Sequence, residues 1–392
     1  VRNDPAIAAV TEIPPGRYPD FDELGLHLRV LDEFLDQWQV KPGEIDGVLA
    51  APTGVLAEGG ADISVHEKVA DELGINPRYA QSMYAGGATY ALMVARASAA
   101  IAAGEADAVL CISAGKFPKV GAAGGEKIAR FASHPEFEFP YGVYIPVLYA
   151  MAATRYLAET GCTHDDLAAV SVSQREWSLR HPDAFMRSKG AITIADVAAS
   201  RMVASPFHLL DCSVPLEGGA AVLVTGGEMA RRIAGRPAYY LGHGEAHFEA
   251  AVSQRARFDT GGAEVSSARA YRAAGITPSE IDIAQLYDSF SSNPLMYAEE
   301  CGLLGRGKAG EHYRSGAASP GGSLPINTYG GLMSFGHTGD ASGMSMIVEA
   351  ALQVMGRADE RQVPRSSTAL VHTHGGMLSE HATLLLGDRA EG

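Results

Sequence analysis

Apolar residues return at helical spacing between positions 21 and 40, where Leu24, Leu26, Leu28, Leu31, Leu35 and Trp38 lie mostly on one face. The spacing predicts a helix that stops at the Lys41-Pro42-Gly43 break, followed by a strand over 45–50. A strand over 6–10 precedes it. Residues 88–103 form an alanine-rich helical run that ends at Gly104 and leads into an apolar strand over 108–113. Such a small-residue helix suits close packing between other elements better than a wet surface. Further helices are predicted over 149–160, 163–178, 266–274 and 344–355, and a strand over 368–372. Thr163 with Asp166 three residues on has the form of a helix N-cap. Strands alternating with amphipathic helices are the pattern of a layered α/β protein.

The pattern repeats. Val40-Lys41-Pro42-Gly43-Glu44-Ile45-Asp46 closes one helix and opens a strand, and Ile276-Thr277-Pro278-Ser279-Glu280-Ile281-Asp282 does the same later. Each copy then reaches a glycine turn, a long helix and an apolar strand: Gly86-Gly87 in the first, Gly336 to Gly343 in the second. Two copies of one unit predict two pseudo-twofold halves, 1–236 and 237–392, with a loop or cap insertion at about 115–205 in the first. Within it, 115–146 is long and poorly periodic, with glycines at 121, 124 and 125 and the run Glu136-Phe137-Glu138-Phe139, whose aromatic rings are expected to tuck inward.

Composition narrows the function classes. Lys+Arg 31 against Asp+Glu 46 gives a formal charge of −15, which argues against wrapping nucleic acid or lying on anionic lipid. The longest uncharged apolar-leaning run, 142–154, is too short to span a bilayer and is broken by Pro146. Residues 1–10 lack a signal-peptide core, and the leading Val1 reads as a processed or truncated start. The four cysteines, Cys111, Cys162, Cys212 and Cys301, are far apart and form no CxxC pair, which predicts a reduced cytoplasmic protein without a disulfide framework.

Chemistry concentrates in three glycine-framed segments: Gln81 to Ala88 around Tyr84 and Gly86-Gly87; Asn327-Thr328-Tyr329-Gly330-Gly331 with Gly336-His337 and Gly343; and His372-Thr373-His374-Gly375-Gly376 after a strand. At strand–helix turns of this kind, backbone N–H groups face whatever occupies the turn, and an imidazole can reach it. Each histidine has an equally simple role as a cap or a partner for a carbonyl. His243 and His247, four apart, do not sit on a helical apolar stripe, and no metal site is expected.

These segments, together with the run 100–110, Pro206-Phe207-His208-Leu209-Leu210-Asp211-Cys212 and Tyr287-Asp288-Ser289-Phe290, carry a resemblance. The chain resembles the thiolase superfamily, in the lipid-transfer-protein branch related to the thiolase part of sterol carrier protein X. The resemblance implies a five-layered αβαβα fold, a homodimer, and coenzyme A thioesters as substrates, with no cofactor beyond the coenzyme A of the substrate.

The departures from that pattern bear on mechanism. Where thiolases place a nucleophilic cysteine, this chain reads Tyr84-Ala85-Gly86-Gly87, and His372 and His374 stand in the loop of the second cysteine. Acyl-enzyme formation needs a thiolate. A phenol with a pKa of about 10 is mostly protonated at neutral pH, and the bulk of Tyr84 is expected to fill the acyl pocket. Apparatus for a thioester enolate remains. By resemblance His337 helps to form an oxyanion hole, with backbone N–H groups near Gly376 and Gly87. Tyr287 stands where many thiolases have an asparagine, and there it can donate to an oxyanion or take a hydroxyl proton. Asp288 either orients Tyr287 or caps a helix, and Asn327 and Tyr329 support the site. The chain is also similar to the cysteine-less steroid side-chain aldolases of this branch, which work with an OB-fold partner of the DUF35 type, although those can carry a tyrosine where His337 stands. The expected reaction is non-covalent retro-aldol cleavage, or formation, of a β-hydroxyacyl-CoA. Acyl transfer without the usual cysteine and a non-catalytic acyl-CoA-binding subunit are the alternatives.

Overall fold

The computed structural model describes residues 4–53, 61–117, 126, 129–255 and 261–389. The glycine run at 121–125 lies outside them. Eleven strands are described: β1 (Pro5–Gly16), β2 (Gly47–Ala50), β3 (Tyr79–Ser82), β4 (Ala108–Lys116), β5 (Met202–Ala204), β6 (Phe207–His208), β7 (Glu217–Gly226), β8 (Ala238–His247), β9 (Ile283–Leu286), β10 (Thr368–Gly375) and β11 (Glu380–Gly387). Nine of them join in the order β3-β2-β4-β7-β1-β8-β11-β10-β9, and β5 pairs with β6.

The repeat read from the sequence is visible in that order. In the first half β2 runs parallel to β4, which is antiparallel to β7, which is antiparallel to β1. In the second half β9, β10, β11 and β8 repeat those relations. The equivalent strands β1 and β8 then meet antiparallel, with Ala6 opposite Tyr239 and Ile7 opposite Ala238, where a twofold relation between the halves requires. The two proline motifs fold alike, as 3₁₀ turns over Pro42–Glu44 and Pro278–Glu280. Each turn closes when its glutamate accepts from the backbone three residues back, Lys41 N at 3.0 Å and Thr277 N at 2.8 Å. Each following aspartate receives the first N–H groups of the neighbouring strand. Asp46 accepts from Asp107 and Ala108, both at 2.9 Å, and Asp282 accepts from Ser367 at 2.8 Å and Thr368 at 3.2 Å.

The helices Thr89–Ala103 and Ser342–Met355 pack on each other and on strands of both halves, so they form the middle layer. Glu23–Trp38 covers β1, β4 and β7 from outside, and Gly262–Ala274 covers β8 and β11. Strand residues divide alternately between two cores. Val48, Ala50, Leu110, Ile112, Ala221 and Leu223 face the outer one, and Leu49, Val109, Cys111, Val222 and Val224 the inner one. Burial on both faces is why these strands read as continuous apolar runs. The layers are the five expected from the resemblance.

Two local expectations change. Pro146 belongs to a helix, Ile145–Thr160, at a first-turn position where no N–H is missed. In the run 136–139 the burial is inverted: Phe137 is 54% exposed, whereas Glu138 is buried. The carboxylate of Glu138 accepts from His134 N and Ser253 N, both at 2.7 Å, and this tie holds the acid inward and turns the Phe137 ring out. No helix among the described residues is long and apolar enough to cross a membrane.

Two stability predictions follow from this packing. Gly244 on β8 faces Gly262–Ala274 so closely that a methyl group would press on the Ser266 carbonyl and lie 2.6 Å from Arg269 Cβ. Gly244→Ala should lower unfolding free energy by about 1–3 kcal/mol in urea titrations. Burial also holds His27 down to about 4 and His181 down to about 3, with His381 at about 4 as well. The unfolded chain takes up these protons near pH 6.5 and the folded chain does not, so stability falls as pH drops from about 6.5 to about 4. A thermal midpoint that stays level across that window contradicts this.

Candidate active site

The site forms where three backbone segments without side chains close on one ring. Tyr287 follows β9 and is 6% exposed. Its ring lies against Gly87: a Cβ there would sit 2.5 Å from Tyr287 Cε2 and would also strike the His374 carbonyl. Gly86, at φ +56°, meets Gly375 and Gly376 at about the same closeness, its would-be Cβ 2.9 Å from Gly375 Cα. Gly343 in turn presses on the carbonyl of Gly87. Glycine is required at these contacts because any Cβ would separate the halves.

Tyr287 Oη lies 3.1 Å from His337 Nε2 and 3.0 Å from Ser342 Oγ. Ser342 is the first residue of the helix Ser342–Met355, and the helix Thr89–Ala103 begins two residues after Gly87. Both middle-layer helices therefore direct their N-terminal ends toward this corner, which favours negative charge there. His337 is held by its backbone, which donates to Val214 O and accepts from Leu216 N, both at 2.8 Å. Its ring meets Phe117 edge-on at 5.3 Å. Burial lowers its pKa to about 4, so the imidazole is neutral at pH 7. Its Nδ1 is buried with no hydrogen-bond partner among the described residues.

Asn327, at φ +55°, pairs with β9 as a neighbouring strand would: its side chain accepts from Leu286 N at 2.6 Å and donates to Leu286 O at 2.8 Å. Thr328 donates to Glu349 at 2.6 Å, and Glu349 is paired with Arg361 at 3.0 Å, both buried. Thr328 also accepts from Gln285 at 2.9 Å, so these ties fix the strand that leads into Tyr287. Tyr329 is buried against Phe335 at 5.5 Å and makes no hydrogen bond with the Tyr287 group. Asp288 turns away from Tyr287 and accepts from Leu332 N at 2.9 Å and Met333 N at 3.2 Å. Of its two expected roles the structure displays the helix cap, with burial raising its pKa to about 7.

His372 and His374 are on one face of β10, but their surroundings differ. His381 Nε2 donates to Leu378 O at 2.9 Å, so its Nδ1 accepts from His372 Nε2 at 3.3 Å, and His372 Nδ1 accepts from Thr383 Oγ1 at 2.9 Å. That chain ends on a carbonyl, and the His372 ring stays behind the site. His374 is the imidazole beside Tyr287, with ring centroids 4.5 Å apart. Its Nε2 lies 2.6 Å from Tyr149 Oη and its Nδ1 2.8 Å from Tyr297 Oη. Gly376 contributes its carbonyl to Tyr149 at 3.3 Å.

Tyr84 is 41% exposed at the head of the glycine turn, where β3 has ended and the buried helix has not begun. Tyr149, Tyr297 and Ser342 were not selected from the sequence. Tyr149 and Tyr297 lie inside helices and give no local signal, and Ser342 is one small residue in a glycine-rich stretch.

The four cysteines are free, and Cys212 is bridged through its backbone to Phe290. Cys111 lies within β4 and Cys301 at a helix end, both buried and with raised pKa. Burial pushes Cys212 up to about 12, and its Sγ donates to His208 O at 3.3 Å. Cys162 Sγ donates to Tyr156 Oη at 3.7 Å. His243 and His247 lie on strand β8 with Glu245 between them, and Arg96 forks onto that carboxylate at 2.7 and 3.0 Å. Among the described residues no group of three or more His, Cys, Asp or Glu is placed to hold a metal ion.

Residues 244–388 match the protein family described as Thiolase C-terminal domain-like. An acetyl-CoA acetyltransferase of Methanothermobacter thermautotrophicus is 33% identical over 309 residues, 79% of this chain and 80% of the relative. A steroid side-chain-cleaving aldolase of Thermomonospora curvata is 31% identical over 368 residues, 89% of each chain. Among solved structures, the Ltp2-ChsH2(DUF35) aldolase superposes with a TM-score of 0.85 at 28% identity, over 99% of this chain and 98% of that one. An acetyl-CoA acetyltransferase from Syntrophomonas wolfei shares the fold at 14% identity, with a TM-score of 0.69. With its repeated halves, its glycine-framed site and relatives above 30% identity along most of their length, this chain belongs to the thiolase superfamily.

Proposed function

We propose that this chain is an acyl-CoA lyase that cleaves a β-hydroxyacyl-CoA by a retro-aldol step without a covalent intermediate. The observation that carries the reading is the Tyr287–His337 pair, 3.1 Å apart; the four cysteines are free, and burial raises the thiol pKa of Cys111, Cys212 and Cys301. The aldolases among the relatives support it. Coenzyme A enters as part of the substrate, and the step draws on this chain's side chains.

Tyr287 Oη takes the proton of the β-hydroxyl while its own proton passes to His337 Nε2. The Cα–Cβ bond breaks, the β carbon leaves as a carbonyl, and the electron pair becomes the thioester enolate. Burial disfavours imidazolium at His337 and lowers its pKa to about 4. A forming enolate beside it supplies the opposite charge, so the cation is stabilised chiefly when the transition state is present. Backbone N–H groups of the turns at Gly87 and Gly376, with the two helix N-termini, add donors for the thioester oxygen. Acyl transfer of the usual kind would need a thiolate that none of the four cysteines offers at this position. The reading includes a homodimer and a small DUF35-type partner; the name of the Ltp2-ChsH2(DUF35) aldolase supports the latter.

Incubation with 3-hydroxyacyl-CoA thioesters, with and without such a partner, should release a carbonyl compound and a shorter acyl-CoA. Tyr287→Phe and His337→Ala should each lower kcat by about 10²–10³-fold, and iodoacetamide should leave turnover intact. Turnover lost on alkylation, or unchanged in both variants, sinks the reading. Because His337 must start neutral, the acid limb of kcat/KM should fall near pH 4, in brief pH-jump assays, instead of near the ordinary histidine value of about 6.5.

A further inference from the structure

A retro-aldol has two proton events on different atoms, and the step described above accounts for one. After cleavage, Tyr287 and His337 hold the hydroxyl proton, and the enolate still needs a proton at its α carbon. The site contains a second hydroxyl–imidazole pair. Tyr149, from the helix Ile145–Thr160, is 4% exposed. It is fixed by His374 Nε2 at 2.6 Å, by the Gly376 carbonyl at 3.3 Å, and by Phe290, whose ring centroid is 4.8 Å from its own. Phe290 lies three residues after Tyr287, and the His374 ring is 4.5 Å from that of Tyr287, so the two pairs adjoin. Both nitrogens of His374 are taken by phenols, Tyr149 on one side and Tyr297 at 2.8 Å on the other. The imidazole therefore cannot reach a substrate itself, whereas the Tyr149 hydroxyl can turn from the Gly376 carbonyl toward one.

We propose that Tyr149 is the acid that protonates the α carbon of the enolate, with His374 as its positioning residue. This rests on the retro-aldol reading. The Tyr149 O–H bond breaks, a C–H bond forms at the α carbon from the enolate electron pair, and the thioester carbonyl is restored. The phenolate left on Tyr149 keeps a hydrogen bond from His374 Nε2–H, while His374 Nδ1 accepts from Tyr297. Burial pushes the Tyr149 phenol well above the usual pKa and Tyr287 adds to this, which keeps it protonated until the enolate forms; the hydrogen bond with Ser289 and the guanidinium of Arg255, anchored on Met377 O at 2.7 Å, oppose that rise and act in favour of the phenolate. After product leaves, water returns a proton to Tyr149 and removes one from His337, so the protein is restored and no proton is gained or lost.

The reverse of this step can be measured alone. Propionyl-CoA, whose α carbon is prochiral, is incubated with the full chain in D₂O, and deuterium at that carbon is read by mass spectrometry. The wild type should exchange, and Tyr149→Phe should exchange at least about 100-fold more slowly. Should Tyr149→Phe fail to fold, difluorotyrosine at position 149 keeps the shape and lowers the phenol pKa, so the pH limb of exchange must move to lower pH. Exchange in Tyr149→Phe at the wild-type rate, an unmoved limb, or a wild type that cleaves but does not exchange would each overturn the proposal. A wild type that does neither defeats the retro-aldol reading instead.

Discussion

The pocket depends on one contact, the ring of Tyr287 lying directly on the main chain at Gly87. The two residues belong to opposite halves of the repeat, so the contact is also where the halves close. It requires bare backbone on several sides at once: Gly343 lies on the Gly87 carbonyl, and Gly375 lies on the Ala85 carbonyl. A methyl group at any of these points would separate segments whose closeness brings a phenol, two imidazoles and two helix N-termini to one corner. The richness of the chain in glycine thus has a specific geometric use. It removes side chains where the turns cross so that a few large ones can meet.

Electrostatics in this corner is governed by what is missing. His337, His372 and His374 are all driven toward the neutral form by burial, and among the described residues their hydrogen-bond partners are hydroxyls and another imidazole, not carboxylates. The acids nearby are committed to structure: Asp288 caps a helix, and Glu349 is neutralised by Arg361. Such a site cannot hold a proton until a negative charge appears beside it. This suits a reaction whose intermediate is an anion and whose start and end states are neutral at the reacting atoms. The thiolase fold and the proposed non-covalent step are then compatible: burial raises the thiol pKa of Cys111, Cys212 and Cys301, and the proposed step needs no covalent attachment point.

Much of the architecture was legible in the chain because it is written locally. The P-x-E-I-D motifs form their turns through contacts three residues apart, and the following aspartates cap strands in the same way in both halves. Helix periodicity placed the middle-layer helices to within two residues of their ends. The resemblance singled out His337 and Tyr287 through the glycine turn and the Tyr-Asp-x-Phe motif, and the two side chains are hydrogen-bonded. Asn327 was found as well, although its use as a substitute strand edge was not foreseen.

What the chain order could not supply was which of several suitable groups would face one another. His372 and His374 differ by two positions and share a face, yet His372 is consumed by Thr383 and His381 from the adjoining strand, and His374 alone stands by Tyr287. Tyr149 joins the site across 225 residues, through a helix whose pattern reads as ordinary core. Glu138 is buried and Phe137 exposed because a backbone N–H 115 residues away binds the acid. Turns, caps and periodicity depend on neighbours a few residues off and are therefore set by the sequence itself. Burial, tautomer and proton affinity depend on atoms brought close only by packing, and they were decided when the two halves closed.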